Sequence, residues 1–419
     1  VQAKPDLEPL LDFSPYRLLT EPDAVHERMR MQPPVRLVRE ESGFTYWLIS
    51  RYAEARQALR APGLSNDPRR LGHSVDTANA YSPMANNDPP HHTRLRRLVS
   101  HGFTRRRIDA LAPRAEAVTA ELLDVLAPTG RADVIADLAF PLPVLVICEL
   151  LGVPTQDRDV FRTWARRTLS TAAGPRTREE RSRRLRAYFT RLVAAKRASV
   201  RPDLAPDEQP DLLSALIVAQ EQRSSLDEDE LIGLAVLLLV AGHETTTNLI
   251  GNGLLTLLLH PDQLALVRDD PALLPSAVEE LLRYEGSAGQ SALRVAVEDV
   301  VIGGTVIPRG SVVNIGLSLA NRDPGAFLDA DALDVRRTAN PHLAFGHGIH
   351  YCLGAPLARM LATTALGALL GRFDGLQLAV PADELRWRQI SILCGLTALP
   401  ISFAPVHSVH PVRPETSGT

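Results

Sequence analysis

The sequence predicts a mainly α-helical protein with a few small peripheral β-sheets. Apolar residues recur at spacings of three and four through most of the 419 residues. β-Prone runs are confined to an amino-terminal pair, a segment after Val300 and the carboxyl-terminal end. No Gly/Ser linker, low-complexity stretch or internal repeat divides the chain. It therefore reads as one domain, 1–419, with an ordered core over about residues 8–405.

Taken in order, Val35 to Glu40 and Phe44 to Ser50 flank Glu41-Ser42-Gly43 and read as a hairpin. Helical spacing follows in Ala53 to Arg60, His92 to Val99, Pro113 to Leu126, Leu142 to Leu151, Arg178 to Ser199 and Asp211 to Gln222. Pro202 to Pro210 is a short connection inside the domain. A long helix begins at Ser225, which with Glu228 has the form of a capping box, and runs to about His260, where Pro261 stops it. At 1.5 Å per residue it spans roughly 50 Å. Val300 to Leu317 reads as strand, turn at Pro308 to Gly310, and strand, and Leu376 to Val380 and Leu396 to Phe403 are strand-like.

The composition is that of a globular protein, 45% hydrophobic and 23% charged. A formal net charge of -3 excludes a nucleic-acid binder that works by overall basicity. Arginines cluster at Arg94, Arg96, Arg97, Arg105, Arg106 and Arg107 and between Arg176 and Arg186, while the only lysines are Lys4 and Lys196. Cys148, Cys352 and Cys394 are widely spaced, with no CxxC pair and no secretory signal, so a disulfide framework is not expected. The apolar stretch Leu231 to Gly242 is too short to span a bilayer and fits a buried helix. These features predict a soluble, cytoplasmic monomer with no membrane or nucleic-acid partner.

Two segments carry chemistry. The long helix is apolar on both sides of Ala241-Gly242-His243-Glu244-Thr245-Thr246-Thr247-Asn248. A carboxylate and a run of hydroxyls in such a place are costly unless they are paired or functional. Toward the carboxyl end, Phe345-Gly346-His347-Gly348-Ile349-His350-Tyr351-Cys352-Leu353-Gly354 surrounds one cysteine with three glycines, and a helix follows at Pro356. Such a loop can approach a flat partner closely. A thiol there faces a helix amino terminus, which favours the metal-binding thiolate. A lone buried cysteine is more often a small core residue, and the glycine setting is what speaks against that reading. A zinc site would need further clustered Cys or His ligands, which His350-x-Cys352 lacks.

The cysteine segment resembles the ligand loop of the cytochrome P450 superfamily, Phe, Gly, any, Gly, any, His or Arg, any, Cys, any, Gly, at every position from Phe345 to Gly354. Ala241 to Thr246 is similar to the family's central oxygen-binding motif, and Glu280-Leu281-Leu282-Arg283 to its Glu-x-x-Arg motif. The resemblance runs from the amino-terminal hairpin to Phe403 and implies the cytochrome P450 fold of the soluble bacterial type. It implies haem b (iron protoporphyrin IX) with Cys352 as axial ligand and Phe345, Gly346, Gly354 and Ala241 against the cofactor. His92 and Arg96, four apart on one helix face, Arg294 and His350 are the implied propionate contacts, with His91 a neighbouring false candidate. Glu280, Arg283 and Arg337 are the implied structural triad, Arg336 beside them leaving the third partner open.

The resemblance further implies a monooxygenase that inserts one atom of O2 into a hydrophobic small molecule by hydroxylation or epoxidation, with Thr245 and Glu244 relaying protons. Electrons are expected from NAD(P)H through a ferredoxin reductase and ferredoxin, the latter docking on some arginines between Arg94 and Arg107. The implied substrate pocket includes the loop near Asp76 to Asn86, Val240, Ala241, Ser287, Ala288, Gly289 and Cys394. The small residues from Gly286 to Gly289 suggest room for a bulky polyketide, macrolide, terpenoid or peptide natural product. The competing readings are a non-enzymatic haem-thiolate sensor or carrier, against which the intact Glu244-Thr245 pair argues, and an oxygen-independent or peroxide-driven reaction on the same fold.

Overall fold

The computed structural model describes residues 10–70, 84–157, 175–223, 226–388 and 392–405. The architecture is mainly helical, with a six-stranded mixed sheet, a three-stranded sheet and a two-stranded hairpin among the described residues. The expected hairpin is Val35–Arg39 paired antiparallel with Thr45–Ile49, and Gly43 supplies the positive φ of 83° that its turn requires. Thr45–Ile49 then pairs in parallel with Val312–Ile315, which is joined by Arg294–Ala296 and Leu64–Ser65. This sheet therefore brings Arg294 beside the helix Tyr52–Arg60, to whose last carbonyls it donates.

The central helix, Glu228–Leu259, packs against Pro141–Leu150, Ala355–Arg372, Leu274–Tyr284 and Pro175–Arg197. By length and composition it could cross a membrane, yet its apolar flanks are enclosed by these helices. Leu234, Ile250, Leu254 and Leu257 are each 0% exposed, and burying such a side chain stabilises the fold by about 1.5–3 kcal/mol. Glycine at 242 and 251 is explained by close packing: a Cβ would lie 2.6 Å from Ile147 and 2.3 Å from Ile135, respectively.

Four boundaries differ from the sequence expectation. The capping box of the central helix is Asp227 with Glu230, Asp227 accepting from the Glu230 N–H at 2.7 Å and Glu230 from the Asp227 N–H at 3.1 Å. Ser225 lies outside the described residues, and the Ser/Asp run offers two registers that spacing alone does not separate. The helix expected from Pro113 starts at Arg105, with Thr104 as its cap, and carries Pro113 inside it. The segment after Val300 folds as three strands, because Gly303 and Gly304, at φ 54° and 80°, make a hairpin of Val300–Ile302 and Thr305–Ile307. The carboxyl-terminal strands shorten to Gln377–Leu378 and Pro400–Ser402.

Candidate haem-thiolate site

The cysteine loop is built by its glycines. Gly346 and Gly348 have φ of 71° and 76°, the left-handed region that other residues avoid. Gly348 also lies against the Leu59 carbonyl, where a Cβ would come to 3.1 Å. The chain thereby doubles back so that the Cys352 N–H donates to the Phe345 carbonyl at 2.9 Å, and the helix Ala355–Arg372 begins directly after Gly354. The expected depression of the thiol pKa is not what the free protein shows. Burial pushes the Cys352 thiol up and outweighs the Gly354 N–H, the Arg96 guanidinium, the Ala355 N–H and Arg359, which pull it down. A bound metal deprotonates a coordinating thiol outright, so the balance reverses on ligation.

Two ionic groups are built on the helix Leu274–Tyr284, and one of them touches this loop. Glu280 and Arg283 are both fully buried and pair through two bonds of 2.7 and 2.8 Å. Arg337 completes the group at 3.1 Å, whereas Arg336 only offers its N–H to Asp334, which decides between the two arginines. Arg283 also donates to the carbonyls of Asn321, Ala330 and Ala332, so the pair ties three chain segments together. Sequence reasoning missed the second brace. Arg359 pairs with Glu279 at 2.6 Å and lies over the Phe345 ring at 4.6 Å, and His342 bonds the same carboxylate at 3.2 Å. Burial raises the Glu279 carboxyl, but His342 and Arg359 outweigh it and hold it at about 2.

On the loop's other flank the four expected basic residues converge. The His92 and His350 rings lie 4.2 Å apart, and desolvation, with His92, Arg294 and Arg96 adding to it, brings His350 down to about 3. Arg294 is brought down to about 10 by its own burial. Its Nε and the Nδ1 of His92 are buried with no partner, and neither Arg294 nor Arg96 forms an ion pair among the described residues. The nearby Asp88 is bonded to Ser65 and to the Asn66 N–H. Orphaned buried donors of this kind ask for an anionic ligand, and the two propionates of a haem fit that requirement. His91 instead joins Arg94 at Glu230, so it is outside this cluster.

The second motif lies in the middle of the central helix. Val240, at 37% exposure, and Ala241 are open although the helix is buried on both sides, so a space lies against this turn. Thr245, Thr246 and Thr247 each donate to the carbonyl four residues back, at 2.9, 2.8 and 2.8 Å. Glu244 pairs with Arg388 at 3.2 Å, and Arg388 also bonds Asn248. Arg388, 2% exposed, was missed by sequence reasoning, and the available signal was only the general one that a buried carboxylate needs a cation.

The small residues at 287–289 also let the carboxyl-terminal segment approach closely. The Cys394 N–H donates to the Ser287 carbonyl at 2.9 Å, Ala288 bridges to Leu393, and a Cβ on Gly289 would lie 3.0 Å from the Cys394 sulfur. Smallness there lets the carboxyl-terminal segment pack closely, leaving Ser287 and Cys394 buried and Ala288 partly open. Of the expected loop near Asp76 to Asn86, residues 76–83 lie outside the described ones. No group of three or more His, Cys, Asp or Glu side chains is placed to hold a metal among the described residues.

Helical fold, glycine-built cysteine loop and uncompensated basic cluster together define a haem-thiolate protein. Comparison with known proteins agrees. The cytochrome P450 family model matches residues 174–392. Cytochrome P450 107B1 of Saccharopolyspora erythraea is 45% identical over 388 residues, covering 90% of this chain and 93% of that protein. Cytochrome P450 monooxygenase PikC of Streptomyces venezuelae is 44% identical over 386 residues, 91% of each. The solved structure of the ligand-free P450 monooxygenase TamI superposes with a TM-score of 0.83 at 41% identity, covering 94% of both chains. The chain belongs to the cytochrome P450 family. It is a monooxygenase, an oxidoreductase that uses haem b, takes hydrophobic small molecules and receives electrons from redox partners.

Proposed function

We propose that Cys352 is the axial ligand of the haem iron, that His92, Arg96, Arg294 and His350 receive the propionates, and that Glu244 and Thr245 move protons to dioxygen. The observation that carries this reading is the meeting of the cysteine loop with a basic cluster whose buried donors lack partners. Bound haem supplies the dioxygen chemistry, and a thiolate ligand favours O–O cleavage. The residues of the chain do the rest. The Phe345 carbonyl and the left-handed glycines fix the Cys352 backbone, and Arg359 lies over the Phe345 ring. Thr245 is held by the Ala241 carbonyl, so its hydroxyl oxygen keeps acceptor capacity for a water. Glu244, 18% exposed beside it, is the acid that passes a proton on.

The substrate reading follows the relatives, which include proteins named 6-deoxyerythronolide B hydroxylase, of Saccharopolyspora erythraea, and mycinamicin IV hydroxylase/epoxidase, of Micromonospora griseorubida. A macrolide or other polyketide, hydroxylated or epoxidised in natural-product biosynthesis, is the class we assign. The chain acts as one domain in the cytoplasm. A ferredoxin, reduced by its NAD(P)H-dependent reductase, supplies the electrons and docks on exposed arginines of this stretch such as Arg97. Of the other arginines in the sequence expectation, Arg94 and Arg107 are engaged with Glu230 and the Gln209 carbonyl, and Arg105 pairs with Asp109 at 3.5 Å.

The test is the absorption spectrum of the reduced, carbon-monoxide-bound protein and its Cys352→Ser variant. A strongly red-shifted Soret band in the parent, lost in the variant, is expected. A band indifferent to the substitution would overturn the assignment of Cys352.

A further inference from the structure

Glu279, His342 and Arg359 stand outside the proposed haem, propionate and proton contacts, yet they gather at the entrance to the cysteine loop. Glu279 lies on the helix Leu274–Tyr284, and Arg359 one turn into the helix Ala355–Arg372. The Arg359 Nε and Nη2 donate to the two Glu279 oxygens at 2.6 and 2.8 Å. Its Nη1 donates to the Tyr351 hydroxyl at 3.4 Å, and the guanidinium covers the Phe345 ring at 4.6 Å. Arg359 thus touches the residue before Cys352 and also the residue whose carbonyl accepts the Cys352 N–H.

The bonds of His342 fix its tautomer. Its Nδ1 accepts from the Ala344 N–H at 3.2 Å, so the ring proton is on Nε2, which donates to Glu279 at 3.2 Å. That tautomer carries no charge, and Glu279 therefore balances Arg359 one for one. The balance matters because the charges of Arg96 and Arg359 both reach Cys352. Arg96 is assigned to a propionate, which leaves Arg359 as the cation whose effect an acid of the chain controls. The Arg359 and Glu279 side chains are 35% and 30% exposed, so solvent weakens their field without erasing it. Reduction adds one negative charge at the metal centre, and fixed groups beyond the ligand itself tune how readily that happens.

We propose that Arg359 and Glu279 form a charge pair that sets the reduction potential of the iron held by Cys352: Arg359 favours the reduced form, and Glu279 limits how much of that charge is felt. In the step concerned, one electron passes from reduced ferredoxin to ferric iron, giving oxidised ferredoxin and ferrous iron, and no bond is made or broken. Arg359 and Glu279 are positioning residues, acting through Phe345, Tyr351 and Cys352 rather than on substrate. His342 holds the carboxylate in place beside Arg359. The proposal rests on the reading of Cys352 as the axial ligand.

Spectroelectrochemical titration of the haem-loaded, substrate-free enzyme tests the pair by sign. Arg359→Gln is expected to make reduction harder and Glu279→Gln to make it easier, each by roughly three- to tenfold in the reduction equilibrium constant. The two substitutions combined should return close to the parent, and Arg359→Lys, which keeps the charge, should stay near it. A purely structural brace would move both single variants in the same direction or leave them unmoved. Shifts of one sign, or the parent's potential in either single variant, overturn the proposal. Should Arg359→Gln fail to hold haem, the comparison of Glu279→Gln with Glu279→Asp decides: a rise confined to Glu279→Gln supports the pair, and equal potentials overturn it. The carbon-monoxide-bound spectrum keeps the two readings apart. Unmoved potentials with a normal red-shifted band remove the charge pair alone, whereas a band indifferent to Cys352→Ser removes the ligand on which the pair depends.

Discussion

Glu280 and Glu244 are both interior carboxylates facing arginine, and they differ in how completely they are satisfied. Glu280 accepts from Arg283, Arg337, Asn340 and the Asp334 N–H, filling both oxygens, and is 0% exposed. Glu244 has a single cation at 3.2 Å and keeps 18% of its side chain open. A carboxylate surrounded on every lone pair is fixed in place, which suits a brace. One with spare acceptor capacity beside a row of hydroxyls can exchange partners and protons. On the proposed roles, local hydrogen-bond supply, more than residue type, separates the bracing acid from the relaying one.

The largest expected effect breaks the satisfied member. Glu280→Gln leaves Arg283 and Arg337 buried without a counter-charge, and loss of one partner of such a group costs about 3–5 kcal/mol. Chemical denaturation of the holoprotein, followed by Soret absorbance, should show a midpoint lowered accordingly and poor haem retention. A midpoint within error of the parent would deny the triad its bracing role. The effect expected of Glu244→Gln has the opposite character: almost no change in midpoint, with product per NAD(P)H reduced by about tenfold or more and the balance appearing as peroxide. Thr245→Ala should share that phenotype, and a coupled Thr245→Ala enzyme would remove the hydroxyl from the relay. A smaller effect belongs to the docking face. Reduction by ferredoxin should slow a few-fold between low and physiological salt, since exposed charges are screened over about 8–10 Å. Rates independent of salt would sink the electrostatic docking on Arg97 and the arginines around it.

Much of this was legible in the sequence because it is encoded locally. The cysteine loop is a contiguous motif whose glycines set its backbone, and the Glu244-Thr245 turn stands out from its apolar flanks. The Glu280–Arg283 pair follows from helix geometry alone. What escaped is encoded by packing between distant segments. Arg388 reaches Glu244 across 144 positions of sequence, and Arg359 reaches Glu279 across 80. Neither spacing leaves a periodic signal. Gly289 was legible as a small residue but not as a seat for Cys394, because smallness alone does not say whether a ligand or another chain segment takes the room. The capping box slid by two residues because Ser225-x-x-Glu228 and Asp227-x-x-Glu230 have the same form, and the acid cap prevailed.

The subtlest expected effect separates the second brace from the first. His342 and Arg359 hold Glu279 at about 2, against burial that acts the other way, and its ordinary value is 4.5. A depressed folded pKa means that the unfolded chain binds the proton more readily, so the stabilisation is complete above a pH of about 4.5 and is lost as the pH falls toward about 2. The side chain is 30% exposed, so solvent screening limits the gain to about 1–2 kcal/mol. Glu279→Gln should therefore be less stable than the parent by that amount at neutral pH, and the gap should close on acidification. Urea midpoints for both proteins between pH values near neutrality and the lowest pH the fold survives provide the measurement. A gap that stays constant as the pH falls would mean that Arg359 braces the Phe345 ring through packing alone, without help from the Glu279 charge.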